Sequence, residues 1–218
     1  MPQGEDPVGH SLTMNRLRNI TSARLELIAA DARMVRADAD RRYDLLGRRL
    51  GASIPAEWPP ELMADALSPT ASRLEQDASL VGWLFWYVIL RAEGRLIGTV
   101  GLKGPPEDGR CDVGYGILDR WQGRGYATEA TGALIDWVLT DSRVDRIVAE
   151  TLPGLGASIK VMEKLGFRFV SDSATGHEGE ERVIQYELRR PIPIGPTEPG
   201  PVVEPGLRPP PATKKNPN

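Results

Sequence analysis

The residues best suited to chemistry fall in the run DVGYGILDRWQGRGYAT, from Asp112 to Thr128. A short apolar strand, Val113 to Leu118, breaks at Asp119. A turn then gathers Gln122, Gly123, Arg124 and Gly125 ahead of a helix that starts near Tyr126 or Ala127. Glycines just before a helix let main-chain N–H groups close on an anion, and the first helical turn leaves further donors unpaired. The macrodipole adds positive potential at that point, and Arg124 adds a formal charge. The ligand this pattern suits is a polyanion, most simply a pyrophosphate. The same glycines half-match a dinucleotide fingerprint, Gly123-x-Gly125-x-x-Thr128, and Glu150 ends the next strand as a ribose-binding acid would. Two features count against a nicotinamide site. Several polar residues separate the strand from the first glycine, and only one βαβ unit is present, behind hairpin strands.

The elements that must hold this loop are legible on both sides of it. Ala127, Ala130, Leu134, Ile135 and Val138 form the stripe of a helix packed on a sheet. Upstream, WLFWYVILRA turns at Glu93-Gly94 into RLIGTVGLKG (95–104), where Gly98 and Gly101 mark a bulge or a close backbone approach. Leu25, Leu27 and Ala29 predict a first strand at 23–30, and Asp31 caps a helix that runs to Leu50 and stops at Gly51. IPAEWPPE (54–61) is a Pro-bounded loop, followed by two short helices, 61–67 and 70–80, on either side of Ser68-Pro69. Downstream come a strand RIVAETL (146–152), a helix ASIKVMEKLGF stopped by Gly166, and strands FRFV (167–170) and RVIQYEL (182–188) around the hairpin loop SDSATGHEGEE. The order β, helices, βββ, α, β, α, ββ describes one α/β domain of about 170 residues with a single core.

Outside that domain, residues 1–21 are polar and aperiodic, which predicts a flexible leader. Residues 191–218 hold 10 of the 19 prolines and almost no large apolar side chain, which predicts a disordered Pro-rich tail. A formal charge of -3 gives no basic field for wholesale nucleic-acid binding. Cys111 is the single cysteine, so no disulfide and no cysteine-based metal site can form within one chain, and a cytoplasmic setting fits. The longest apolar run, Trp83 to Leu90, is far below the ~20 residues of a membrane helix. The expectation is a soluble protein with no metal, nucleic-acid or membrane partner.

Gln122-Gly123-Arg124-Gly125-Tyr126-Ala127 fits the pattern Q/R-x-x-G-x-G/A at all three fixed places. Together with IGTVGLKG, DVGYGILDRWQGRGYATEA and ETLPGLGASIKVMEKLGF, it makes residues 22–190 resemble the GNAT superfamily of acetyl-CoA-dependent N-acetyltransferases, in its RimJ/RimL-like branch. The resemblance implies a mixed, mostly antiparallel sheet with splayed central strands and flanking helices. It implies acetyl-CoA as cosubstrate without a metal. It also implies a primary amine acceptor, a protein N-terminus or a small amine, attacking directly in a ternary complex, and a monomer or homodimer. In the family the pantetheine arm pairs with main chain at the end of the fourth strand, which maps onto Ile117 and Leu118. The pyrophosphate would then take the N–H groups of Gly123, Arg124, Gly125, Tyr126 and Ala127, with Gln122 opening the signature.

Acetyl transfer to an amine needs an uncharged nitrogen, and most amines are protonated at neutral pH. A base must remove a proton, the departing thiolate needs a donor, and the carbonyl needs an oxyanion partner. Asp112 aligns with an acid that serves as base in several family members, and Glu150 near the end of the fifth strand is the other candidate. Either also reads as a surface carboxylate or as an ion pair with one of the 22 arginines. Many relatives carry a donor Tyr in the helix after the fifth strand, where Met162 stands here. Ser158, four residues earlier, holds the place where RimL-like relatives have a serine near the thioester, and reads equally as a first-turn helix residue. The relatives' Asn in the preceding turn is replaced by Leu155, which cannot hydrogen-bond. Trp58 lies where this fold places its acceptor pocket, although core packing is the other common use of Trp. Leu155 and Met162 raise the alternative of a coenzyme-binding module without transfer chemistry.

Overall fold

The unbroken apolar run Phe85–Leu90 has no polar face to turn to water, and it forms a strand buried along its whole length at the centre of a sheet. The computed structural model describes residues 19–60, 63–173 and 182–191. In chain order the elements are β1 (Asn19–Thr21), β2 (Leu25–Ala29), α1 (Ala32–Ala39), α2 (Tyr43–Leu50), α3 (Ala64–Gln76), β3 (Phe85–Leu90) and β4 (Arg95–Leu102). There follow β5 (Arg110–Ile117), α4 (Tyr126–Val138), β6 (Arg146–Thr151), α5 (Gly156–Lys164), β7 (Arg168–Ser173) and β8 (Val183–Arg189). The strands make one sheet in the order β1-β2-β3-β4-β5-β6-β8-β7. All neighbours are antiparallel except β5 and β6, which the helix crossover makes parallel. The mixed, mostly antiparallel sheet is as expected.

Three local expectations need correction. Residues 19–21, read as the end of the leader, form β1 and pair with β2. The helix expected from Asp31 to Leu50 is two helices: Asp31 caps the first by accepting from Met34 N at 2.8 Å, and Arg41 at φ 57° then breaks the chain. Val35 and Asp38 of α1 and Leu46 and Leu50 of α2 are buried, so each helix turns one face to the core. Pro69 does not separate two helices but lies inside α3. It is exposed, and the buried Leu67, Ala71 and Leu74 hold the helix across its missing bond. The leader up to residue 18, the tail from residue 192 and most of the 171–181 hairpin loop lie outside the described residues.

Gly98 and Gly101 combine both expected roles. The pairing of β3 with β4 shifts between Val88 and Ile89, and a Cβ on either glycine would collide with a main-chain carbonyl, that of Gly116 or that of Leu84. On one face of the sheet α4 packs, with Trp137 against Trp83 (5.2 Å) and Trp86 (5.4 Å). On the other face lie α1, α2 and α3.

The feature that positions a site is the parting of β5 from β6. They pair only from Arg110 to Val113 against Arg146 to Ala149. Beyond that point β5 keeps β4 as its neighbour to Ile117, and β6 keeps β8 to Thr151. A cleft therefore opens between two strands that are each held from behind.

Candidate active site

At the mouth of the cleft the chain leaves β5 and turns through Asp119–Trp121 into the glycine loop. Gln122 stitches that turn: its Nε2 donates to Ile117 O and to Asp119 Oδ1, each at 2.8 Å. Gly123 (φ 72°) and Gly125 (φ 80°) both adopt the left-handed conformation, and Gly125 caps α4. That geometry is why glycine stands at both places. Among the described residues no main-chain carbonyl accepts from the N–H groups of Gly123, Arg124, Gly125, Tyr126 or Ala127. Gln122 to Gly125 are exposed, so these donors and the head of α4 face outward. The arrangement fits a pyrophosphate.

Arg24, from the turn before β2, braces this loop and escaped sequence reasoning. Its Nε meets Glu129 Oε2 at 2.6 Å, its Nη1 donates to Arg124 O at 3.0 Å, and its guanidinium lies 4.4 Å from the centre of the Tyr126 ring. Glu129 also accepts from Ser22 Oγ and from Arg24 N, both at 2.7 Å. Burial pushes the Glu129 carboxyl up, but the bonds from Ser22 and Arg24 outweigh it and hold it below the usual glutamate range. No local pattern ties Arg24 to a helix 100 residues away, so no signal marks it in the sequence.

The edge of β5 that faces the cleft follows from the pleat. Lys103 N donates to Asp112 O at 3.0 Å, and Leu118 N donates to Ile97 O at 2.9 Å. Alternation then turns the main-chain groups of Val113, Tyr115 and Ile117 away from β4, toward β6. Ile117 therefore turns its main chain toward the cleft, with its carbonyl already taken by Gln122. Leu118 does not: its N–H serves Ile97, and its carbonyl accepts from Trp121 N at 2.8 Å. Tyr115 supplies the edge in its place.

The two candidate bases lie together where the strands part. Asp112 accepts from Arg110 Nε at 2.8 Å and from Arg110 Nη2 at 2.5 Å. Glu150 accepts from Lys103 Nζ at 2.8 Å and from Gln185 Nε2 at 3.3 Å. Lys103 Nζ is also 3.9 Å from Asp112 Oδ1, and Arg110 Nη2 is 3.8 Å from Glu150 Oε1. The result is a four-membered charged cluster in which each cation reaches both acids. The Lys103 ammonium holds the Glu150 carboxyl below the usual glutamate range, ahead of a smaller opposing effect of burial. Arg110 lies two residues before Asp112, on the same strand face, so that partner was readable. Lys103, just past β4, and Gln185, on β8, come from elsewhere in the chain and were not.

On the other face of β5, Tyr115 OH lies 3.0 Å from both the carbonyl and Oγ of Ser158, in the first turn of α5. Burial raises the Tyr115 phenol above its ordinary range, against a smaller lowering by the Ser158 bond. Met162 is only 1% exposed and has no proton to give, while Leu155 is exposed at the turn ahead of α5. Trp58 requires correction. It is 4% exposed, and its Nε1 donates at 2.7 Å to the buried Asp38, which also accepts from Tyr87 OH at 2.9 Å. A Trp whose ring fills the core and whose N–H is already bonded offers no face to an acceptor. What it does is pin the Pro-bounded loop over β5, where Pro60 and Met63 cover Gly116.

The profile of the acetyltransferase (GNAT) domain matches residues 16–168. The chain belongs to the GNAT acetyltransferase family. It is 28% identical over 145 residues to the uncharacterized N-acetyltransferase YjdG of Bacillus subtilis (strain 168), covering 66% of this chain and 86% of that protein. It is 32% identical over 81 residues to the uncharacterized N-acetyltransferase YnaD of the same organism, covering 37% and 48%. Among solved structures, the ribosomal-protein-S5-alanine acetyltransferase of Vibrio fischeri shares the fold at TM-score 0.57 and 21% identity, over 78% of this chain and 96% of that one. RimL, the ribosomal L7/L12 α-N-protein acetyltransferase, shares it at TM-score 0.57 and 18% identity in its complex with coenzyme A, over 78% and 97%. At these identities the two structures speak for the GNAT fold alone, and the acyltransferase class comes from the domain match and the sequence relatives.

Proposed function

We propose that this GNAT chain transfers an acetyl group from acetyl-CoA to a primary amine, on a peptide N-terminus or a small amine, by direct attack in a ternary complex. The observation that carries the reading is the cleft between β5 and β6. Its β5 edge leads straight into a loop whose five outward N–H groups have no main-chain partner among the described residues, and its floor carries two carboxylates. Acetyl-CoA supplies an activated acyl group on a thiol leaving group. Gly123, Arg124, Gly125, Tyr126 and Ala127 hold the pyrophosphate, and the main chain of Tyr115 and Ile117 holds the pantetheine arm as an added strand would.

Glu150 and Asp112 face the amine. Each is ion-paired, so either acts as a base by drawing a proton from the ammonium through water, or by keeping the neutral amine oriented. Ser158 lies near the thioester on the opposite face. The neighbours that act on ribosomal proteins support a peptide N-terminus as one acceptor class, and a cytoplasmic setting agrees with it. The test is incubation with acetyl-CoA and a panel of amines and N-terminal peptides, following free thiol and identifying the product by mass spectrometry. Thiol release above the hydrolysis blank is the expected result.

A second reading, a coenzyme binder without transfer, is favoured by Met162 at the family's donor position. Tight coenzyme binding with no release on any acceptor would select it.

A further inference from the structure

Hydroxyl groups gather where β5 and β6 part, on the face that carries α5. Tyr115 OH sits 3.0 Å from Ser158 O and 3.0 Å from Ser158 Oγ. Thr151 ends β6, is 7% exposed, and its Oγ1 has no hydrogen-bond partner among the described residues. The register that sets Val113 beside Ala149 would, if continued, set Tyr115 beside Thr151 on the same face of the sheet. Thr151 Oγ1 is itself buried, so it packs within that face and opens onto no free space in the cleft.

The geometry of the Tyr115 phenol leaves two arrangements. It has one proton and two acceptors in reach, a carbonyl and a hydroxyl. If the proton goes to the carbonyl, the Ser158 Oγ–H must point back at the phenolic oxygen. If it goes to Ser158 Oγ, the serine proton is free to point into the cleft. Only rotation of two hydroxyls separates these states. The helix position that would carry a donor phenol is taken by buried Met162, so in this chain a phenol reaches the first turn of α5 from the strand instead.

We propose that Tyr115 is a positioning residue for departure of the thiol: it holds Ser158 so that the serine Oγ–H protonates the leaving sulfur. The inference rests on the acetyl-transfer reading. The amine nitrogen bonds to the acetyl carbon, and the carbon–sulfur bond breaks with its electron pair on sulfur. The sulfur takes the Ser158 proton, Ser158 takes the phenol's, and water restores the phenol. The proton lost by the amine leaves on the opposite face, to water beside Glu150.

The test is Tyr115→Phe, which keeps the ring and removes the hydroxyl. We expect kcat to fall about 10- to 100-fold, with the KM for acetyl-CoA and the Kd for coenzyme A within about threefold of wild type. The double variant with Ser158→Ala should be no more than about twofold slower than Ser158→Ala alone, because both changes break one relay. A Tyr115→Phe enzyme within twofold of wild type, a loss confined to KM, or losses that multiply in the double variant each overturn the inference. Should Tyr115→Phe fail to fold by circular dichroism, Ser158→Thr against Ser158→Ala decides it: the hydroxyl-bearing variant keeps the rate within a few fold, and equal losses overturn it. A wild-type chain that releases no thiol on any amine overturns the acetyl-transfer reading together with the inference. A working wild type matched by Tyr115→Phe overturns the inference alone.

Discussion

The loop at the head of α4 and the charged cluster at β4, β5 and β6 serve the same cleft but are built from different materials. The loop offers main-chain N–H groups, and its side chains matter mainly by being absent, as at Gly123 and Gly125. The cluster consists of side chains alone, Lys103 just past β4, Arg110 and Asp112 on β5, and Glu150 on β6. Main-chain donors carry no titratable group, so the loop's grip should depend on conformation and hardly on pH. The cluster should respond to pH and to the loss of any one partner, since each cation is shared between two acids. On the proposed reading, one cleft would pair a pH-insensitive anion site with a tunable proton-handling site.

The strongest challenge to the loop is Gly125→Asp. It places a branched acid at φ 80°, where left-handed backbone costs an L-residue roughly 1–2 kcal/mol, and it sets a negative charge beside the phosphates. Calorimetry should show coenzyme A binding weakened by about 100-fold or more, and unchanged affinity would remove the pyrophosphate assignment.

Next in size is Glu150→Gln on the cluster. A general base contributes about 100-fold or more, so kcat should drop by about that factor with coenzyme affinity intact. Asp112→Asn measured alongside it identifies which acid matters more. If neither variant moves the pH–rate profile, the base is water or another group.

Lys103→Met should act on pH rather than on maximal rate. Lys103 holds the Glu150 carboxyl below the usual glutamate range, so ionised Glu150 persists to lower pH in the wild type. Removing the ammonium raises that carboxyl, and the acid limb of the kcat/KM profile should move to higher pH. A limb that stays in place, or moves down, breaks the link between Glu150 and the rate.

The smallest effect belongs to the brace. Glu129→Gln removes the charge that anchors Arg24, a partly exposed pair. Coenzyme affinity should weaken by only a few fold, because surface-type pairs contribute about 1 kcal/mol or less. A loss as large as that of Gly125→Asp would mean that Arg24, and not the main chain, holds the loop.

How much of this was readable follows the same division. The cap at Asp31, the left-handed stops at Gly51 and Gly166 and the glycine loop before α4 are all set by residues within a few positions of one another, and all were legible. The break at Arg41 and the passage of α3 through Pro69 were not, because buried side chains outweighed local preference there. Trp58 misled for a related reason. Its type and its loop suited an acceptor pocket, but its partner Asp38 lies 20 residues back and appears only once α1 is folded against the sheet. Leu118 misled because the pleat alone decides which of two neighbours faces the cleft.

By itself the sequence determined a strand, a turn of two glycines and a helix start, and with them a loop of defined order, suited to an anion, within an α/β chain. Backbone energies that act over three or four residues are enough for that. The tertiary structure decided what faces the cleft: Tyr115 rather than Leu118 on the edge, Lys103 bonded to Glu150 across 47 residues, and the Tyr115 phenol on Ser158 across 43. Those contacts are set by strand register and by where β5 leaves β6, and register depends on the packing of the whole sheet.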